Sequence, residues 1–137
     1  MKCTNKELCA LAIEAMSRSY SPYSKCKVGA ALLAKSGKVY LGCNIENASY
    51  SPTICAERTA FAKAVSEGER EFEAIAVVGG LDGQIKGLFP PCGVCRQVMA
   101  EFCDIDSFRV LLVSSENEYK ELKLSELLPY SFDKTNL

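Results

Sequence analysis

Two cysteine motifs that lie far apart in the sequence constrain the fold of this chain more than any other feature. They are Cys-Ala-Glu at residues 55–57 and Pro-Cys-Gly-Val-Cys at residues 91–95, in a chain of 137 residues without histidine. Thiolates select soft or borderline cations, and a tetrahedral cysteine site is typical of zinc. If Cys55, Cys92 and Cys95 bind one ion, the fold must bring both motifs to the same point.

Three protein ligands, rather than four, are typical of catalytic zinc, because the open position can hold a water molecule. Glu57 lies two residues from Cys55, so we predict that it carries protons beside that water. Three thiolates leave a zinc site with net negative charge, which weakens the ion as a Lewis acid. Arg58 is predicted to donate hydrogen bonds to the sulfurs and to restore part of that acidity. The alternative for Arg58 is a solvated helix residue.

Apolar periodicity and turn residues predict the element order α-β-β-α-β-α-β-β-α. The predicted helices cover residues 5–19, 55–66, 92–103 and 125–128, and the predicted strands cover residues 28–34, 39–45, 74–78, 108–113 and 119–124. The glycine-rich residues 79–87 are predicted to form a connection. This order indicates an α/β fold over residues 1–137, a single three-layer α/β/α domain with a mixed five-stranded sheet. Both cysteine motifs then fall at helix N-termini, where thiolates are stabilised.

Charge narrows the class of partner. The chain has 16 Lys and Arg against 17 Asp and Glu, a net charge of -1. Nothing in that balance favours nucleic acid or an anionic membrane, so a small or neutral ligand is expected. Residues 1–7 carry charges without an apolar signal core, and no stretch reaches transmembrane length, which predicts a cytoplasmic protein. In a reducing compartment the eight cysteines are expected to be free thiols or metal ligands.

The chain resembles the short, homotetrameric cytidine deaminases from the first predicted helix nearly to the C-terminus. Six blocks in the family's order carry the resemblance: Pro22–Ser24, Val28–Leu32, Gly42–Ala48, Cys55–Ala60, Pro91–Gln97 and Leu127–Pro129. The two cysteine motifs together are a close form of the zinc-deaminase signature. The resemblance implies zinc-dependent hydrolysis of cytidine and deoxycytidine to uridine and deoxyuridine with release of ammonia, as in pyrimidine salvage, by a homotetramer.

The resemblance also implies roles for residues outside the zinc motifs. Asn44 and Glu46 match a pair that hydrogen-bonds the ribose 3′-hydroxyl, although a capped turn would also explain these two residues. Phe132 matches an aromatic residue that reaches a neighbouring subunit's site, and Tyr50 is similar to a residue near that boundary. Cys26 departs from the family, which usually has a phenylalanine there that stacks on the pyrimidine. We therefore expect weaker base binding, or compensation by Phe132 of the neighbouring subunit.

Three alternatives remain open. A deaminase of another aminopyrimidine nucleoside, such as blasticidin S, would share the zinc chemistry. A structural zinc protein would need Cys43 or Cys103 as a fourth ligand, with Glu57 only a carboxylate at a helix start. A thiol–disulfide oxidoreductase would use Cys92 and Cys95 without metal.

Overall fold

A computed structural model describes residues 3–137 of the chain. Met1 and Lys2, part of the N-terminal segment considered above, lie outside the described residues. The elements are α1 Asn5–Met16, β1 Cys26–Ala34, β2 Val39–Cys43, α2 Ala56–Ser66, β3 Phe72–Leu81, α3 Gly93–Phe102, β4 Arg109–Ser115, β5 Glu118–Lys123, α4 Leu124–Leu127 and a 3-10 turn at Lys134–Asn136. Up to α4 this is the order that the sequence predicts.

The five strands form one mixed sheet in the order β2-β1-β3-β4-β5. Strands β3 and β4 are parallel, and the other neighbouring strands are antiparallel. Parallel strands need a crossover between them, and α3 forms it. Helix α1 packs on one face of the sheet, while α2 and α3 pack on the other. The predicted three-layer α/β/α fold is therefore confirmed.

Strand β1 lies inside the sheet and serves both hydrophobic cores. Ala30 and Leu32 pack toward α2 and α3, and Ala31 and Leu33 pack toward α1. All four side chains are almost completely buried. A strand covered on both faces is expected to be a continuous apolar run, which explains why the sequence pattern located it.

Helix α1 begins and ends at recognisable capping residues. The Thr4 hydroxyl accepts a hydrogen bond from the Glu7 backbone N–H, and the Glu7 carboxylate accepts one from the Thr4 N–H. This reciprocal pair satisfies two N–H groups that a helix start leaves unpaired. The helix ends at Met16, before the predicted Ser19, because the next residues form a tight turn in which the Arg18 N–H bonds to the Ala15 carbonyl.

Two glycines let helices lie directly on the sheet. A Cβ atom at Gly29 would stand 2.2 Å from the carbonyl oxygen of Ala12 in α1. A Cβ atom at Gly42 would stand 2.3 Å from the carbonyl oxygen of Ala56, the first residue of α2. Protein packing does not tolerate such distances without backbone movement. The contact at Gly42 therefore fixes the start of α2, and with it the first cysteine motif, against β2.

Strand β3 is longer than predicted. It extends to Leu81 and includes Gly79 and Gly80, which the sequence analysis assigned to a connection. Pairing with β1 continues to the last residue, where Cys26 faces Leu81. These glycines are needed because other groups occupy the space beside their Cα atoms, rather than because the chain turns there.

In the described part of the chain, no helix combines the length and apolar character needed to cross a membrane.

Candidate metal centre and active site

The two cysteine motifs meet at the N-termini of two neighbouring helices. Cys55 is the N-cap residue of α2, and Cys92 is the N-cap residue of α3. The Sγ atoms of Cys55, Cys92 and Cys95 all lie within 4.8 Å of one another. The Sγ atoms of Cys55 and Cys92 are 3.7 Å apart. The fold thus brings together the three cysteines that the sequence singles out.

The sulfur cluster has the dimensions of a zinc site. Two sulfurs at about 2.3 Å from a tetrahedral zinc ion are separated by about 3.8 Å, which the Cys55–Cys92 distance of 3.7 Å matches. Cys95 is buried, Cys55 is half-buried and Cys92 is exposed, so the cluster is accessible from one side. The donor set and its spacing therefore fit zinc, with one coordination position left for water.

Within the described part of the chain, no fourth cysteine joins the cluster. Among the residues that the structure describes, the three sulfurs form the only group of three or more cysteine, histidine or acidic side chains that could hold a metal. Cys43 donates its thiol hydrogen to the Arg18 carbonyl, at 3.4 Å. Cys103 follows the last residue of α3, at the opposite end of that helix from Cys92. The geometry thus disfavours the structural-zinc alternative.

Hydrogen bonds favour the thiolate form of Cys55. The Cys95 thiol and the Arg58 guanidinium both bond to its sulfur and lower the pKa of Cys55 to about 5. Arg58 Nη2 lies 3.4 Å from that sulfur. The Nε atom of Arg58 is buried and has no hydrogen-bond partner among the described residues. Since metals bind the thiolate, this arrangement prepares Cys55 as a ligand.

Glu57 is buried beside the cysteine cluster. It lies in the first turn of α2, and its side chain is 3% exposed. Burial raises the pKa of Glu57 to about 7, and the negative charge of Cys55 acts in the same direction. A carboxyl group with a pKa near neutrality can both accept and donate a proton at ordinary pH.

A cavity of about 350 Å³ lies beside Glu46 and is lined by Tyr23, Ser24, Glu46, Tyr50 and Thr53. The Glu46 carboxylate accepts hydrogen bonds from the backbone N–H groups of Tyr23 at 3.0 Å and Ser24 at 3.1 Å, and from the Ser24 hydroxyl. The Ser24 hydroxyl is the main cause of the lowered pKa of Glu46. Glu46 therefore faces a cavity while it fixes the loop that forms one wall.

Hydrogen bonds within the chain use most of the donors and acceptors of the Asn44 side chain. Its side-chain Nδ2 donates to the Cys26 carbonyl at 2.8 Å, and its Oδ1 accepts from the Val28 N–H at 2.9 Å and from the Ser19 hydroxyl. An amide side chain offers two donor hydrogens and two acceptor lone pairs, so one N–H remains available for a ligand. These contacts join Asn44 to residues at the start of β1 and after α1, so its side chain has a structural role in holding these segments together.

Phe132 lies outside the cores of its own chain. Its side chain is 60% exposed, and its backbone carbonyl accepts a hydrogen bond from Gln97 Nε2 at 2.7 Å. Gln97 belongs to α3, two residues after Cys95. The C-terminal segment is therefore anchored to the helix that carries two of the cysteines, with an aromatic ring left uncovered.

Two contacts at the site had no predicted role. Arg96 donates from Nε to the Pro91 carbonyl at 2.8 Å and from Nη1 to the Leu127 carbonyl at 2.6 Å, so it fixes the residue before Cys92 to α4. Ser24 holds Glu46, as described above. Both residues lie in blocks that carry the family resemblance, but sequence spacing does not predict which distant carbonyl or carboxylate a side chain reaches.

Comparison with known proteins places this fold and site in a family. Residues 2–111 match the family described as the cytidine and deoxycytidylate deaminase zinc-binding region. A cytidine deaminase from Sporosarcina psychrophila is 50% identical over 132 residues, which cover 96% of this chain and 93% of that protein. One from Halalkalibacterium halodurans is 54% identical over 121 residues, 88% of each chain. The chain belongs to the cytidine and deoxycytidylate deaminase zinc-binding family.

Solved structures agree with this assignment. The crystal structure of cytidine deaminase from Burkholderia pseudomallei has a TM-score of 0.86 and 44% sequence identity, covering 94% of this chain and 99% of that one. The crystal structure of cytidine deaminase from Mycobacterium tuberculosis has a TM-score of 0.78 and 36% identity, covering 91% of this chain and 94% of that one. The likeness extends over nearly the whole chain.

Proposed function

We propose that this chain catalyses the zinc-dependent hydrolytic deamination of cytidine and deoxycytidine, releasing uridine or deoxyuridine and ammonia, as a step of pyrimidine salvage. The observation that carries the proposal is a buried carboxyl group, Glu57, beside a three-cysteine cluster of zinc dimensions. The relatives named as cytidine deaminases support the choice of substrate.

Cys55, Cys92 and Cys95 would hold the zinc ion, which supplies a hydroxide nucleophile at neutral pH by lowering the pKa of a water molecule. Glu57 takes a proton from the attacking water and delivers it to N3 of the pyrimidine ring, which makes C4 electrophilic. Glu57 then takes the remaining proton of the hydroxyl group now attached to C4 and passes it to the departing amino group, which leaves as ammonia. Because its pKa is about 7, the same carboxyl group can accept and release protons. Arg58 reduces the negative charge that the Cys55 sulfur presents.

The sugar would be recognised at the cavity beside Glu46. One Asn44 N–H and the Glu46 carboxylate are the polar groups proposed to bond the ribose 3′-hydroxyl. The backbone and Ser24 contacts of Glu46 hold its carboxylate in place before a ligand arrives, which limits the entropy lost on binding. A site built to bond a hydroxyl discriminates strongly against ligands that lack it.

The proposal includes a homotetramer in the cytoplasm. The exposed Phe132 ring supports assembly, because a large apolar side chain anchored beside α3 gains from being covered by a neighbouring subunit. Phe132 would then contribute to the neighbour's substrate site. The eight free cysteines are compatible with a reducing compartment.

A substrate panel tests the proposal. The zinc-loaded protein is incubated separately with cytidine, deoxycytidine, free cytosine and blasticidin S, and products are separated by chromatography. We expect conversion of cytidine and deoxycytidine, with free cytosine a poor substrate. Faster turnover of blasticidin S than of cytidine would favour the alternative nucleoside. Equal turnover of cytosine and cytidine would contradict the ribose-binding role proposed for Asn44 and Glu46.

A further inference from the structure

The start of β1 places two small or medium-sized side chains on the sheet face that carries the cysteine cluster. Cys26 and Val28 alternate with residues of the opposite face, and both belong to the core beneath α2 and α3. Cys26 is half-buried and pairs with Leu81. A cysteine side chain is small, so it presents little surface to a planar ligand at this position.

An aromatic ring stands on the same face, one strand away. Gly79 of β3 pairs with Val28, and directly paired residues of antiparallel strands have their side-chain positions on the same face. A Cβ atom at Gly79 would stand 2.9 to 3.1 Å from three carbons of the Phe89 ring. The ring of Phe89 thus occupies the side-chain space that Gly79 leaves empty, next to Val28.

Phe89 is held close to the metal centre by the chain itself. It is half-buried and packs against the same buried core as Cys26 and Cys55. It precedes Cys92 by three residues, a span of at most about 11 Å. The two residues between them, Pro90 and Pro91, restrict the backbone, and Arg96 holds the Pro91 carbonyl. Phe89 therefore lies a short, restricted span of chain from the cysteine cluster and packs on the same core as Cys26.

The other aromatic side chains of this face have different surroundings, and Tyr40, for example, is buried in the core and donates its hydroxyl hydrogen to Glu69. Phe61 packs with Phe72, Phe102 and Phe108 inside the core. Tyr23 and Tyr50 pack edge to face at the cavity beside Glu46, at the proposed sugar end of the site.

We propose that Phe89 provides the aromatic wall against which the pyrimidine ring of the nucleoside packs, where position 26 holds only a thiol. The inference rests on the proposed function and names a substrate-contacting residue for it. A pyrimidine offers two flat faces with weak hydration, and packing against a phenyl ring stabilises it in the site. The same wall contacts substrate and product, so its removal weakens binding of both and leaves proton transfer by Glu57 intact.

The test measures binding and turnover in the zinc-loaded protein with Phe89→Ala, Phe89→Tyr and Leu88→Ala. Phe89→Ala is expected to raise the KM for cytidine, and the Kd of uridine measured by calorimetry, about tenfold or more, because aromatic–base packing has that magnitude. The kcat should change less than about threefold. Phe89→Tyr, which keeps the ring, should bind nearly as the parent protein does. Leu88→Ala is the matched control on the same loop, since Leu88 is 47% exposed, and should leave both constants unchanged.

A second pair of variants keeps the inference testable if Phe89→Ala fails to fold. Phe89→Leu retains apolar volume without the ring and should still raise the uridine Kd severalfold. The double variant Cys26→Phe, Phe89→Ala should recover part of the affinity, because both positions lie on one sheet face. The inference would be overturned if folded, zinc-replete Phe89→Ala or Phe89→Leu bound uridine as the parent protein does. If only Phe132→Ala lost affinity, the aromatic wall would belong to the neighbouring subunit instead. A parent protein that binds uridine but does not convert cytidine would instead overturn the proposed function.

Discussion

At the scale of single residues, the site contains two acidic groups, Cys55 and Glu57, whose surroundings shift their pKa values in opposite directions. Hydrogen bonds from Cys95 and Arg58 lower the pKa of Cys55 to about 5, while burial raises the pKa of Glu57 to about 7. The first effect favours a metal-binding thiolate, and the second favours a carboxyl group that exchanges protons. We propose that these two residues, two positions apart in the sequence, divide metal binding and proton transfer between them.

The metal ligands can be tested by substitution of one cysteine. Cys92→Ala should lose zinc and cytidine turnover together, since two thiolates and water make a weak site. Zinc per chain, measured by atomic absorption beside the activity, checks this. Cys43→Ala is the matched control and should keep one zinc, because Cys43 bonds a backbone carbonyl outside the cluster. Full zinc retention in Cys92→Ala would contradict the ligand assignment.

Removal of the Glu57 carboxylate should separate metal binding from chemistry. Glu57→Gln keeps the size of the side chain but cannot accept and pass on a proton. We expect one zinc per chain, an unchanged fold and a fall in kcat of at least about 10²–10⁴-fold, because one group serves more than one proton transfer. Rapid-mixing or long-incubation assays would measure the residual rate. A fall of less than about tenfold would mean that another group moves the protons.

The sequence predicted the site's residue types better than their contacts. Three cysteines carry their metal-binding chemistry in their identities and spacing, so the motifs were enough to name the cluster that the structure brings together. The catalytic role of Glu57 stays a prediction. Asn44 shows the limit, because its amide fastens Cys26 and Val28, and those bonds depend on how β1 lies in the sheet. The Asn44 side chain therefore has a structural role in addition to the ribose-binding role proposed for it.

At the scale of elements, the positions of helix N-termini decide whether the motifs meet. Helix α2 is held against β2 at Gly42, and helix α3 begins after the loop that Arg96 fixes. Sequence periodicity located these helices and strands within a few residues. The predicted end of β3 was too early, because the glycines at residues 79–80 are typical of turns. In the structure these glycines make room for Phe89 and the Gln84 carbonyl.

The packing of α2 against the sheet can be tested at Gly42. Gly42→Ala would place a Cβ atom 2.3 Å from the Ala56 carbonyl oxygen, and relief requires a shift of the start of α2. We expect the free energy of unfolding to fall by about 1–3 kcal/mol, with weaker zinc binding, measured by denaturant titration and metal competition. Gly93→Ala is the control, because a Cβ atom there meets no neighbouring atom within 4 Å. Equal stability of the two variants would contradict the proposed role of this contact.

At the scale of the whole molecule, the uncovered C-terminal segment matters most. Phe132 is 60% exposed and Tyr130 is fully exposed, although the segment is bonded to α3 through Gln97. The apolar run of residues 124–132 suggests surface that a monomer does not hide, but the prediction of a homotetramer came from the family resemblance. No property of a single chain specifies how many copies cover such a surface.

Sedimentation tests the assembly and a mixing experiment tests the shared site. We expect a particle of about four times the 14.9 kDa chain mass, and a higher KM for cytidine in Phe132→Ala without loss of zinc. Mixed subunits of Phe132→Ala and Glu57→Gln should recover some activity, because a hybrid can pair an intact Glu57 with an intact Phe132 of its neighbour. A fully active monomer at assay concentration would exclude the shared site and leave the zinc chemistry standing.

The central claim is that the zinc held by three cysteines, together with Glu57, deaminates cytidine. The most direct measurement is ammonia released from cytidine by protein samples loaded with increasing amounts of zinc after metal removal by a chelator. We predict that the rate rises in proportion to bound zinc and levels off at one ion per chain, with uridine and ammonia formed in equal amounts. A folded chain that binds one zinc and releases no ammonia from cytidine, or one that works equally well without the metal, would contradict the claim.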